Sequence, residues 1–180
     1  MKDETLVRDG FSGLRLRAWR DDDVDAFHAI WGDPRVIWWG PSPSRQSSAE
    51  KLAQWRQRTR GLPSPYGFFA VELPATEALP TGAICRVIGN VMLQPTTWSA
   101  FSEVGWHFLH AVQGRGLATR AASLLLKETF ARLPLDRVVA PIVPDNRASQ
   151  RVAEKLGFVR EGETVELAGL GHDVWVRWAG

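Results

Sequence analysis

The stretch Glu103–Arg120, EVGWHFLHAVQGRGLATR, decides how the rest of the chain is read. Val104, Trp106 and Phe108 alternate with Gly105 and His107, which is the period of a strand. From about Leu117 the apolar spacing through Leu124, Leu125 and Phe130 becomes that of a helix. Gln113-Gly114-Arg115-Gly116-Leu117-Ala118 lies between them. Two glycines there let the backbone approach a bulky anion, and the first helical turn leaves its N–H groups unpaired. With the helix dipole and the charge of Arg115, the junction reads as a phosphate cradle. As a bare Gly-x-Gly pair it also reads, more simply, as a tight turn. A Walker loop would need Gly-Lys-Ser/Thr at its end, and a dinucleotide fingerprint would need a third glycine with a later acidic residue; neither is present.

The junction resembles the acyl-CoA signature of the Gcn5-related N-acetyltransferases (GNAT), Gln/Arg-x-x-Gly-x-Gly/Ala, which Gln113, Gly116 and Ala118 satisfy. The wider run GWHFLHAVQGRGLAT is similar to the branch that acetylates ribosomal-protein N-termini, of RimJ/RimL type. Arg120 departs from it, standing where that branch often has Glu.

A second stretch, Asn146-Arg147-Ala148-Ser149 through Lys155-Leu156-Gly157-Phe158, resembles the family's Asn-x-x-Ser followed by Lys-x-Gly-Phe. Taken alone, Asn146 is a helix N-cap and Gly157 a terminating glycine. The two stretches stand in the order, and with the intervening strand, that the family shows. The resemblance implies an acetyl-CoA site made by Phe108, Leu109, Gln113, Gly114, Arg115, Gly116, Leu117, Ala118, Thr119, Asn146 and Ser149. Many members place a thiolate-protonating tyrosine where this chain has Ala153, whereas the ribosomal branch uses the serine after the asparagine. The resemblance therefore points to Ser149 as the acid; its other reading is a small residue on the helix face nearest the cofactor.

An amine attacking a thioester must be neutral, yet N-terminal amines titrate near 8 and alkyl amines higher, so a base or a water relay is expected. Glu103, at the start of the central strand, is the first candidate; it reads equally as a solvated strand-end residue. Glu166 is the second, because the ribosomal branch places a carboxylate before its final strand. A strand N–H near Phe108 or Leu109 would hold the developing oxyanion. His28, His107, His110 and His172 show neither metal-ligand spacing nor a companion nucleophile, and no metal is expected. His107 and His110 flank the cleft and could relay protons, though structural roles fit them better. Trp38 and Trp39, beside a proline-rich turn, read as an aromatic wall for the acceptor, or as plain packing.

The chain has 180 residues, enough for one domain spanning 1–180. Hydrophobic content of 44% and charged content of 23% are those of a folded soluble protein. The 22 basic residues face 20 acidic ones with no basic block, so nucleic-acid binding is not expected. Cys85, the one cysteine, reads as an inert buried thiol. No signal-peptide core or membrane-length apolar run is present, which makes the cytoplasm the expected location. A homodimer stays open.

In chain order, Leu14 to Ala18 reads as a strand with a basic outer side, followed by a helix with an N-cap from Asp21 to Asp23. Ser47-x-x-Glu50 reads as a capping box opening a second helix that ends by Gly61. Strands are expected at Phe68 to Glu72, Arg86 to Leu93, Asp136 to Val143, Phe158 to Val165 and Asp173 to Trp178. This order gives an α/β fold with a mixed sheet. The resemblance implies the GNAT fold, mostly antiparallel and flanked by helices, with its fourth and fifth strands splayed to admit acyl-CoA. The function it implies is transfer of an acetyl group from acetyl-CoA to a primary amine, a peptide N-terminus or a small molecule, through a ternary complex. The alternative is a non-catalytic acyl-CoA-binding or sensing module.

Overall fold

The computed structural model describes residues 5–10, 13–37, 41–79, 81 and 85–180. Its strands are β1 (Thr5–Arg8), β2 (Arg15–Ala18), β3 (Gly67–Glu72), β4 (Val87–Pro95), β5 (Ser102–Phe108), β6 (Arg137–Ile142), β7 (Val159–Leu167) and β8 (Leu170–Trp178). Its helices are α1 (Val24–Trp31), α2 (Arg45–Arg60), α3 (Leu117–Arg132) and α4 (Arg147–Lys155). Among the described residues the strands form one sheet in the order β1-β2-β3-β4-β5-β6-β8-β7. Every neighbouring pair is antiparallel except β5 with β6.

That parallel pair opens the sheet. β4 and β5 stay in register from Gly89↔Phe108 to Pro95↔Ser102, whereas β5 and β6 pair only at Ser102↔Val138 and Glu103↔Val139. Beyond Glu103 the two strands part. The expected splay of the fourth and fifth strands is therefore present; β1, which the sequence reading did not anticipate, moves the count by one. Thr5–Arg8 is a four-residue edge strand, too short for alternation to announce it.

Ring contacts assign the two faces of the sheet. His107 meets Trp31 of α1 at 4.9 Å, and Phe68 of β3 stacks on Trp55 of α2 at 4.3 Å, so α1 and α2 cover the face bearing Phe68, Met92, Glu103, Gly105 and His107. Trp106, the next residue along β5, meets Phe158 just past α4 at 6.3 Å on the other face. The main core runs through both layers, from Leu16, Phe27 and Leu52 to Val91, Val104, Leu125 and Trp175.

Three local expectations are corrected. Arg17, assigned to a basic outer side, is only 2% exposed: its guanidinium donates to Asp23 at 2.6 and 2.8 Å and to Glu72 at 3.0 Å. β2 lies inside the sheet between β1 and β3, where alternation no longer separates core from solvent. Asp23 consequently does not cap α1 with its side chain; the carboxylate serves Arg17 and the Arg20 amide. α2 begins two residues before Ser47, with Ser44 as its cap accepting from the Ser47 amide at 3.1 Å. The remaining expected elements lie where they were read, with ends shifted by a few residues.

Candidate active site

The gap between β5 and β6 is a cavity of about 480 Å³ that passes through the sheet. From the α3 side it is lined by Gln113, Gly114, Gly116, Leu117, Ala118 and Thr119, and by Asn146, Ala148, Ser149, Arg151, Val152 and Lys155. From the other face come Trp31, Arg35, Met92, Glu103, Gly105 and His107, with Leu167, Ala168 and His172 of the β7–β8 hairpin.

The cradle has the geometry that its glycines suggested. Gly114 and Gly116 hold φ of 77° and 75°, the left-handed region where a side chain is strained. A Cβ added to either would meet nothing within 4 Å, so the backbone faces open space. Gly116 is the N-cap of α3, and the first-turn residues Leu117, Ala118 and Thr119 line the cavity. Their N–H groups precede the first full helical turn and are available to an anion. The loop is tied down by Gln113, whose side-chain amide donates to the Phe108 carbonyl at 3.2 Å. Arg115 is exposed and does not line the cavity.

On the opposite wall, Asn146 caps α4 by accepting from the Ser149 amide at 3.0 Å. Ala148, Arg151, Val152 and Lys155 line the cleft at the i, i+3, i+4, i+7 spacing of one helical face. Ser149 lines it as well. Arg151 and Lys155 were not among the sequence-derived candidates, although that spacing was readable once Ser149 was assigned to the cleft.

Backbone polarity along β5 follows from its register. The Leu109 amide donates to the Ile88 carbonyl at 3.0 Å. In an antiparallel pair that bond makes Phe108 and Gly89 a non-hydrogen-bonded couple, so the N–H groups of Phe108 and Trp106 are directed away from β4, toward the gap. Of the two expected oxyanion donors, Leu109 is already engaged, and Phe108 is the one directed at the cavity.

Glu103 lies on the α1–α2 face where β5 and β6 part. Burial pushes its carboxyl above the ordinary range, while hydrogen bonds from Trp98 and Gln94 and the charge of Arg58 hold back part of that rise. Burial drives His107 the other way, to about 4, so this imidazole is neutral at neutral pH. Glu166 is not brought to the site: it is exposed on β7, and the cavity is lined by the next two residues, Leu167 and Ala168. Strand alternation turns Glu166 to the other side. Trp38 and Trp39 lie outside the described residues. His110 is exposed and not part of the cavity wall, whereas His172 is part of it, on a hairpin that local sequence could not bring to the cleft. Cys85 is half-buried, its thiol raised by burial and donating to the Val87 carbonyl, consistent with an unreactive role.

A mixed sheet parted between two parallel strands, with a glycine-capped helix N-terminus at the gap, is the arrangement that the two signature stretches imply. The family profile described as acetyltransferase (GNAT) domain matches residues 13–159, and the chain belongs to that family. It is 30% identical to the Bacillus subtilis protein YkkB over 146 residues, 81% of each chain. It is 32% identical over 89 residues to the Bacillus subtilis uncharacterized N-acetyltransferase YnaD, 49% of this chain, and spans about half (52%) of that relative's length. Mycobacterium smegmatis RimJ, solved in complex with a CoA disulfide, superposes with a TM-score of 0.71 at 19% identity, over 99% of this chain and 88% of the other.

Among the described residues no helix is long and apolar enough to cross a membrane.

Proposed function

We propose that this chain acts as one N-acetyltransferase domain, moving an acetyl group from acetyl-CoA to a primary amine, a peptide N-terminus or a small molecule, in a ternary complex. One observation carries the reading: a single cavity with an anion cradle opening from the α3–α4 face and a desolvated carboxylate on the α1–α2 face. Two reactants can thus meet from opposite sides of the sheet, which turns a bimolecular encounter into a positioned one. The CoA complex of a structural relative of this family supports acetyl-CoA as the donor.

The roles follow from position. The N–H groups at Gly116 to Thr119 bind the pyrophosphate, with Arg151 and Lys155 adding positive charge from α4. Glu103, directly or through a water, accepts the proton that the amine loses as its nitrogen bonds to the thioester carbon. The Phe108 N–H, with that of Trp106 beside it, stabilises the negative charge arising on the carbonyl oxygen. As the carbon–sulfur bond breaks, Ser149 passes its hydroxyl proton to the departing thiolate and regains one from solvent, to which Glu103 returns the proton taken from the amine. No covalent bond to the protein is formed.

The test is calorimetric titration with acetyl-CoA, followed by a free-thiol assay against N-terminal peptides, polyamines and aminoglycosides. Micromolar binding with thiol release on one class of amine is expected. Binding without release for any amine would favour an acyl-CoA sensor, and no binding would overturn the reading.

A further inference from the structure

Glu103 stands at the fork of the sheet between two neighbours fixed by register. It is paired with Gln94 on β4 and with Val139 on β6, so the three side chains share the α1–α2 face. Val139, Val174 and Val176 make a small buried cluster of their own. Trp98 and Phe101, from the connection between β4 and β5, pack against it, with Val165 of β7. Trp98 thus rests on the cluster that holds the strand neighbour of Glu103, and it donates its indole N–H to the carboxylate.

The connection is held in shape by its own hydrogen bonds. Thr96 Oγ1 directs its hydrogen at the carbonyls of Ser99 and Phe101, at 2.9 and 3.1 Å, and accepts from the Ser99 amide at 3.0 Å. Ser99 Oγ accepts from the Phe101 amide at 3.0 Å. Side-chain turns of this kind order a loop without a ladder. Trp98 lies within them, so its ring is carried on a constrained backbone.

Packing alone does not call for a tryptophan here, since Phe101 fills the same cluster without a polar atom. What the indole adds is one N–H that can only donate. The buried indole nitrogens of Trp19 and Trp175 have no partner among the described residues, so this fold tolerates an unused indole N–H; that of Trp98 meets an acid. A donor that cannot accept favours the ionised carboxylate. Gln94 donates to the same group from β4, on a side chain with more torsions to freeze, and Arg58 of α2 adds its charge. His107, on the same face of β5, is neutral, and the Arg137 guanidinium of β6 lies over the rings of Phe101 and Trp178.

We propose that Trp98 is a positioning residue for the base: from an ordered loop its indole N–H holds the Glu103 carboxylate in one orientation at the fork, ready to accept the proton of the amine. The inference rests on the acetyltransferase reading, in which Glu103 is that base, and goes beyond it by giving the base a rigid holder.

Two variants separate the hydrogen bond from the packing. Trp98→Phe keeps an aromatic ring and removes the N–H, whereas Phe101→Leu disturbs the same cluster and leaves the N–H. Each is assayed for kcat/KM against pH with the best amine of the panel above, and for acetyl-CoA affinity. With the donor gone the ionised base is less favoured. Trp98→Phe should therefore lose about tenfold in kcat/KM on the acid limb relative to its own plateau, with acetyl-CoA affinity unchanged. Phe101→Leu should lower the melting temperature and leave that ratio alone. A ratio within twofold of the wild type in Trp98→Phe, or an equal loss in Phe101→Leu, would overturn the inference. A second measurement needs no turnover and decides the matter should Trp98→Phe fail to fold. In the isotopically labelled wild type the Trp98 indole N–H resonance should move with pH in one titration and stay still in Glu103→Gln. No movement in the wild type, or movement that persists in Glu103→Gln, overturns the inference even in an active enzyme. The expected movement in a protein that releases no thiol keeps Trp98 as the holder of Glu103 and removes the transferase reading.

Discussion

The Leu109 amide is bonded to the Ile88 carbonyl at 3.0 Å, and this bond decides which backbone groups of β5 face the cleft. Because ladder bonds alternate along an antiparallel strand, the amides of Phe108 and Trp106 are directed at the gap, and those of Leu109 and His107 at β4. Saturation with acetyl-CoA should therefore slow hydrogen exchange, or shift the amide resonances, at Phe108 and Trp106 selectively. Equal effects at Leu109 and His107 would mean that the oxyanion donor lies elsewhere.

Gly116→Asp should abolish acetyl-CoA binding in calorimetry. The added carboxylate would occupy the open space above the cradle and repel a phosphate. The left-handed φ adds a stability cost of about 1–2 kcal/mol, visible as a lower melting temperature. Gly116→Ala carries the same strain without the charge, so comparing the two separates conformational from electrostatic loss.

Glu103→Gln should lower kcat by about a hundredfold or more while leaving acetyl-CoA affinity alone. Because burial raises the Glu103 carboxyl, the folded state favours its protonated form. The stability this group contributes is present below its unfolded pKa and is lost as pH rises through the raised folded value. Replacing this ionisable group by a neutral amide of the same shape removes the cost of charging it in a buried place, so Glu103→Gln should melt no lower than the wild type. Activity of the wild type should fall with pH along a limb lying above the usual carboxylate value of about 4.3, and that limb should vanish in Glu103→Gln.

At the start of α4, Asn146→Ala and Ser149→Ala should part company. Asn146 accepts from the Ser149 amide, so removing its side chain costs about 1 kcal/mol of stability, read from denaturant midpoints. The Ser149 backbone keeps that bond after Ser149→Ala, which should therefore slow transfer at unchanged stability. Full activity in Ser149→Ala would return this residue to a packing role.

Legibility in the sequence followed the range of the interactions. Gly114, Gly116 and Asn146 were readable because the left-handed turn and the cap are made by neighbouring backbone. The strands holding Val104 and Val174 are legible because apolar side chains two apart share a face. Where partners come from afar, local reading failed: the pattern around Arg17 gave no sign of Asp23 and Glu72 closing on it. Glu166 was credited to the cleft from its place before the last strand, and alternation sends Leu167 there instead.

By itself the sequence determined the order of strands and helices, the glycine cradle at the head of α3 and the cap of α4, since each rests on φ/ψ preference, periodicity or a hydrogen bond within a few residues. The tertiary structure decided which strands part, which face Glu103 occupies, and that His172 of the final hairpin lines the same cleft. Those outcomes depend on register between strands distant in sequence, set only when both faces of the sheet are covered and the hydrogen-bond ladders close together.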